Sequence, residues 1–107
     1  MATILLLEGD PDVRRLLLIV LAELGHTAAA LDTGVDVAHG TDCLLVDPVA
    51  PLHLEQARRA RARTPRLPVI CTSFVKGQAL HGGGPVVHLA KPFSPDQLGA
   101  AIELALA

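Results

Sequence analysis

Thr41-Asp42-Cys43-Leu44-Leu45-Val46-Asp47-Pro48-Val49-Ala50-Pro51 is the stretch on which the fold turns. Cys43, Leu44, Leu45 and Val46 form an unbroken apolar run between polar and proline punctuation. Such a run is too short for a confident helix and reads as a strand buried on both faces, the pattern of a parallel sheet. Asp47 closes it. In an open α/β sheet, ligands bind in the crevice beyond the carboxyl ends of the strands, so a carboxylate there is placed for chemistry. The competing reading makes Asp47 the start of a turn, which Pro48 and Pro51 also favour. The stretch by itself leaves both open.

On the amino-terminal side, residues 4–7 are a second apolar run, followed at once by Glu8-Gly9-Asp10-Pro11-Asp12. Asp10 as N-cap with Pro11 at the first helical position predicts a helix start, and acids suit the positive end of a helix dipole. Val13, Leu16, Leu17, Val20, Leu21 and Leu24 then recur at helical spacing, and Gly25 sits where a helix-ending glycine belongs. Residues 27–31 predict a short strand. Residues 32–40 are bracketed by Gly34 and Gly40, carry little apolar periodicity and allow at most one or two helical turns, with His39 facing solvent.

On the carboxyl-terminal side, residues 52–64 predict a helix with an apolar edge at Leu54, Ala57 and Ala60. Arg58, Arg59, Arg61 and Arg63, with Arg66 beyond, read as its solvated face. Without aromatics among them or overall basicity, they do not make a nucleic-acid surface. Pro65 stops the helix, and residues 68–73 predict another buried strand ending in Thr72 and Ser73. Residues 76–85 contain four glycines and a proline, each glycine disfavouring a helix by about 1 kcal/mol, which leaves room for a turn near residues 78–81. Residues 86–90 predict the last strand, with Lys91-Pro92 at its carboxyl end. Ser94, Pro95 and Gln97 form a capping-box start for a final helix buried through Leu98, Ala101, Ile102 and Ala105. Strands alternating with helical crossovers imply a parallel sheet with right-handed connections.

The chain of 107 residues is read as one domain over residues 1–107. Half of it is apolar, but Phe74 and Phe93 are the whole aromatic complement, so Leu, Val, Ile and Ala must build the core. A net charge of −2 offers no bulk attraction to nucleic acid or an acidic membrane. The apolar runs are short, and the start lacks a basic segment and cleavage site, so a cytoplasmic protein is expected. Cys43 and Cys71, without CxxC spacing, read as small core hydrophobes.

Polar groups at successive strand ends thus share one crevice: Glu8 and Asp10, then Asp47, then Thr72 and Ser73, then Lys91. Together with Pro51 four residues after Asp47 and with Lys91-Pro92-Phe93, this resembles the receiver domain of two-component response regulators over essentially the whole chain. The resemblance implies a doubly wound, flavodoxin-like sheet of order 2-1-3-4-5, here with truncated second and fourth crossover helices. It implies that Asp47 accepts a phosphoryl group from a histidine kinase or phosphotransfer partner. Lys91 would pair with Asp47 and then with the phosphoryl group, and Ser73, or Thr72 if the register slips by one, would donate to another phosphoryl oxygen. Mg²⁺ would be held by Glu8, Asp47 and the Val49 backbone carbonyl, with Asp10 as a further ligand candidate. Ser73 and His88 would form the switch, His88 taking the place of an aromatic ring.

The departures from that family are specific. Gly9 stands where the acid that touches the metal is expected, which weakens the Mg²⁺ site, and Phe74 follows the hydroxyl where a small residue is usual. Val49 and Val75, both apolar, flank the acceptor and the hydroxyl and predict slow attack by water on a phosphorylated Asp47. A stand-alone receiver acting through an unknown downstream protein, with homodimerisation open, is the first expectation, since the chain stops after its last helix. A pseudo-receiver that binds protein without phosphorylation is the alternative. An enzyme is not expected, because no G-x-S-x-G, P-loop or G-x-G-x-x-G is present.

Overall fold

The structure, a computed structural model, describes residues 1–73 and 84–107, with the backbone alone described at Ser73. Strands β1 (Thr3–Leu7), β2 (Thr27–Ala30), β3 (Cys43–Val46), β4 (Val69–Ser73) and β5 (Val86–Ala90) form one five-stranded sheet in the order β2-β1-β3-β4-β5. Every pairing is parallel. The helices are α1 (Pro11–Glu23), α2 (Pro51–Arg63) and α3 (Pro95–Leu106). The strand order reverses between β1 and β3, and the crevice beyond their carboxyl ends is where such sheets place a ligand.

The all-apolar strands follow from burial on both faces. On one face Ile4, Leu6, Cys43, Leu45 and Ile70 pack against Leu17 and Leu21 of α1 and Leu98, Ala101, Ile102 and Ala105 of α3. On the other, Leu7, Leu44, Val46, Val69 and Cys71 pack against Ala57 and Ala60 of α2. Both cysteines are free and buried, as their spacing predicts. No helix among the described residues is long and apolar enough to cross a membrane.

The helix ends match their sequence signals. Asp10 accepts from the Asp12 and Val13 amides at 2.9 and 3.3 Å. Gly25, at φ +90°, donates to Ala22 while His26 donates to Leu21, the paired bonds of a Schellman ending. Ser94 and Gln97 make both bonds of the capping box. The apolar face of α1 is narrower than its periodicity predicts, however: Leu16 is 60% exposed and Leu24 lies at the rim. Leu16 is one residue round the helix from Leu17, outside the stripe on the sheet, and Leu18 packs there instead.

For the other face, one expectation holds and one is corrected. The connection from β2 to β3 contains no helix, within the limit of one or two turns that its glycines set. Side chains of α2 hold it instead: Gln56 Nε2 donates to the Asp32 and Val35 carbonyls at 2.7 and 2.9 Å, and Arg63 donates to the Val37 carbonyl at 2.8 Å. These bonds satisfy backbone carbonyls that a helix would have satisfied internally. The arginines, by contrast, are not one solvated face. Arg61 is 4% exposed, with Nε donating to the Leu67 carbonyl at 2.9 Å and Nη2 to that of Pro85. It joins the end of α2 to the approach to β5, and burial lowers its pKa. The glycine-rich fourth crossover, with Phe74, Val75 and the turn expected near residues 78–81, lies outside the described residues.

Candidate functional site

Glu8, Asp47 and Lys91 each follow the last residue of a strand, β1, β3 and β5 respectively. The parallel register sets Leu7 beside Val46, so Glu8 and Asp47 leave the sheet side by side. Lys91 lies farther out, since β5 pairs residue for residue with β4 up to Ser73 and Ala90. Its four-carbon side chain reaches back over the end of β4. The ammonium is 2.8 Å from Asp47 Oδ2 and 3.1 Å from Glu8 Oε1.

All three groups are largely shielded, with side-chain exposures of 13% for Lys91, 16% for Asp47 and 4% for Glu8. Burial acts to lower the Lys91 pKa, but the hydrogen bonds and charges of Asp47 and Glu8 outweigh it and hold the pKa above its ordinary value. The remaining carboxylate oxygens are bonded too. Glu8 Oε2 accepts from the Asp10 amide and Asp47 Oδ1 from the Val49 amide, each at 3.1 Å. Two carboxylates and one ammonium are therefore fixed in a shallow crevice, with Asp47 the more open acid.

The other candidates fall as follows. Asp10 serves α1 as its cap, and its side chain is exposed. Val49 is exposed at the crevice rim. Thr72 is 1% exposed and donates to the Val46 carbonyl at 3.4 Å, so its hydroxyl faces into the sheet. Ser73 ends β4, and its side chain lies outside the described residues. His88 is exposed on β5, beside Cys71 in the register. The peptide between Lys91 and Pro92 is cis.

Sequence reasoning passed over His53, in the first turn of α2. It is 4% exposed, and Nδ1 is buried without a hydrogen-bond partner. Its Cε1 lies 3.8 Å from where a Cβ on Gly9 would stand. With Glu8, Gly9, Arg14, Asp32 and Thr33 it lines a cleft of about 440 Å³ beside the crevice. The signal was present: His53 is four residues before Ala57, which puts it on the buried stripe of α2.

A Mg²⁺ site needs several oxygen ligands in near-octahedral array, usually including one or two carboxylates. Here both Glu8 and Asp47 are bonded to Lys91, Asp10 caps a helix, and Gly9 offers no ligand. No cluster of three His, Cys, Asp or Glu side chains suited to a metal ion occurs among the described residues. The residues present do not fit an all-oxygen Mg²⁺ cradle.

No protein-family model matches the chain, and no curated protein matches it by sequence. Solved structures do match in shape. A receiver-domain protein from Clostridium thermocellum superposes with a TM-score of 0.79 at 18% identity, covering 99% of this chain and 94% of its own. The receiver domain of a sensor histidine kinase from Pseudomonas aeruginosa, which has magnesium coordinated in its active-site cleft, gives 0.79 at 24% identity over 98% and 97%. A Vibrio cholerae chemotaxis protein, CheY4, gives 0.81 at 17% identity over 99% of each chain. The chain has the fold of response-regulator receiver domains, with the β2-β1-β3-β4-β5 order that the sequence resemblance implied.

Proposed function

We propose that this chain is a receiver in which Asp47 accepts a phosphoryl group from a histidine kinase or phosphotransfer protein and which signals by protein–protein contact. The observation that carries the proposal is the 2.8 Å bond between Lys91 Nζ and Asp47 Oδ2 at the carboxyl edge of a receiver-type sheet. An Asp47 oxygen would attack phosphorus in line as the bond from phosphorus to the donor's imidazole nitrogen breaks, the ring leaving as the neutral base once protonated. Little covalent chemistry is asked of the protein; orientation and charge stabilisation dominate phosphoryl transfer.

Lys91 would turn from Asp47 to a phosphoryl oxygen, a charge-assisted bond in a partly shielded site. Ser73 is proposed to donate to a second oxygen, which would couple phosphorylation to the segment that follows β4, with His88 in the position of the switching ring. Because Glu8, Asp47 and the Val49 carbonyl make no complete cradle for Mg²⁺, no step passes through that ion, and most of the charge on the incoming group falls to Lys91. Incubation with acetyl phosphate followed by intact-mass measurement tests the proposal. A phosphoryl adduct on the wild type that Asp47→Ala abolishes is the expected result; no adduct, or one that survives the substitution, overturns it.

A second function has its own support. Gly9 removes an acid from the crevice, and the second crossover has no helix, both of which suit a pseudo-receiver that binds protein without phosphorylation. Absence of the acetyl phosphate adduct in a folded protein selects it.

A further inference from the structure

We infer that the cleft between the start of α2 and the end of β2 binds a small organic carboxylate, held by the first turn of α2, His53 and Arg14. The inference does not rest on phosphorylation of Asp47, which is not part of this cleft's lining. Two independent features of the chain meet there. The first is a polar atom with nothing to bond: His53 lines the cleft and is 4% exposed, yet its Nδ1 is buried without a partner. Native interiors rarely keep such an atom without a water, an ion or a functional reason. Its Cε1, which joins the two ring nitrogens, is the atom that a Cβ on Gly9 would meet, at 3.8 Å. The nitrogen-bearing edge of the ring is therefore turned toward the floor that Gly9 leaves bare.

The second feature is the helix end. The N-cap of α2 is Ala50, which makes no side-chain capping bond, and no acid stands in the first turn. Pro51 has no amide, so the donors that the helix leaves without intrahelical partners are those of Leu52 and His53. They carry the positive end of the helix dipole, which favours an anion, and both residues line the cleft. Arg14 of α1 lines it as well and has no ion pair among the described residues.

The charges of the lining select the ligand. Arg14 is the one permanent cation there among the described residues, whereas Asp32 contributes a carboxylate and Glu8 another, already bonded to Lys91 and the Asp10 amide. A dianionic phosphate meets more repulsion in that setting than a monocarboxylate, whose two oxygens match the guanidinium fork. Leu31, Pro51 and Leu52 offer apolar wall to a short hydrocarbon body, and about 440 Å³ of space suits a small ligand. In the tautomer with its proton on Nδ1, His53 donates to the bound carboxylate.

Titration of the full chain with sodium butyrate at constant ionic strength, followed by NMR of the amide and imidazole nitrogens, tests the inference. Saturable shifts are expected at the Leu52 and His53 amides and at His53 Nδ1, which should move toward the position of a protonated ring nitrogen. Chloride and inorganic phosphate should not reproduce them. Arg14→Gln, at a partly exposed position, should weaken binding about tenfold. Arg15→Gln removes the same charge from an exposed neighbour outside the lining and should leave binding unchanged. Gly9→Leu should abolish binding by filling the floor, since its Cβ meets only ordinary contact with His53. No saturable shift with butyrate, shifts that chloride or phosphate reproduces, equal loss in the two arginine variants, or full binding in Gly9→Leu overturns the inference. Labelling of Asp47 by acetyl phosphate neither requires butyrate binding nor excludes it, so the two proposals fail separately.

Discussion

Lys91 Nζ stands 3.1 Å from Glu8 Oε1 as well as 2.8 Å from Asp47 Oδ2, so one ammonium bridges two carboxylates brought together from β1 and β3. At neutral pH the three charged side chains sum to −1, and all three are mostly out of water. Removing the cation leaves two shielded acids facing each other. Removing one acid still leaves Lys91 a partner.

That asymmetry predicts unequal effects on stability. Lys91→Met should destabilise the protein by on the order of 3 kcal/mol, the usual consequence of leaving buried charge uncompensated. Asp47→Asn should change stability by about 1 kcal/mol or less, since Lys91 keeps Glu8 and the amide still accepts from Val49. Urea unfolding of the two variants checks the order. An Asp47→Asn protein less stable than Lys91→Met would contradict it.

The same bridge has an alkaline signature. The Lys91 pKa in the folded state is raised above its ordinary value of 10.5, so folding favours the protonated amine. The resulting stabilisation is fully present below pH 10.5 and is lost as pH rises through the raised folded value. Thermal melts from pH 8 upward should show wild type and Lys91→Met converging only in that strongly alkaline range. A gap that narrows between pH 8 and 9 would argue against the bridge.

How far the sequence was readable differs between the layers of this molecule. The strands were legible because parallel burial makes them uniformly apolar, and Asp10, Gly25 and the Ser94 capping box marked helix ends by local chemistry alone. The convergence of Glu8, Asp47 and Lys91 was legible as three strand ends sharing one edge. The buried face of α2 was legible at Ala57 and Ala60 but not beyond them, because composition hid the rest of its spacing. His53, Gln56, Ala57, Ala60 and Arg61 are its buried residues, and their intervals of three and four are helical. Three of them are polar: Arg61 reads in sequence as part of a solvated run, and His53 and Gln56 carry no apolar signal. Each serves a need that appears only in three dimensions: Gln56 satisfies a helix-free crossover, Arg61 satisfies carbonyls near β5, and His53 faces the space above Gly9.

Arg61 and Arg58 therefore separate cleanly in mutation, though the sequence presents them as one run. Arg61→Met should strip the Leu67 carbonyl of its Arg61 bond and leave the Pro85 carbonyl with the Val69 amide alone, lowering stability by about 1–3 kcal/mol. Arg58→Ala, at an exposed position, should stay within about 0.5 kcal/mol of wild type. Chemical denaturation of both variants decides it, and equal small effects would mean that Arg61 is solvated after all.

The two thiols give a measure of how tightly the sheet is closed. Burial, with a smaller contribution from the charge of Asp42, pushes the Cys43 thiol up to about 12, and burial raises Cys71 as well despite the opposing charge of Arg61. Reaction with a disulfide reagent requires the thiolate, so at neutral pH neither cysteine should react in the native state. Modification should proceed only through opening of the central strands, which in a protein of this size approaches global unfolding. Its rate should therefore rise with urea in step with the unfolding transition and become fast for both thiols in denatured protein. Stoichiometric labelling within seconds under native conditions would show that β3 or β4 opens independently of the rest of the sheet.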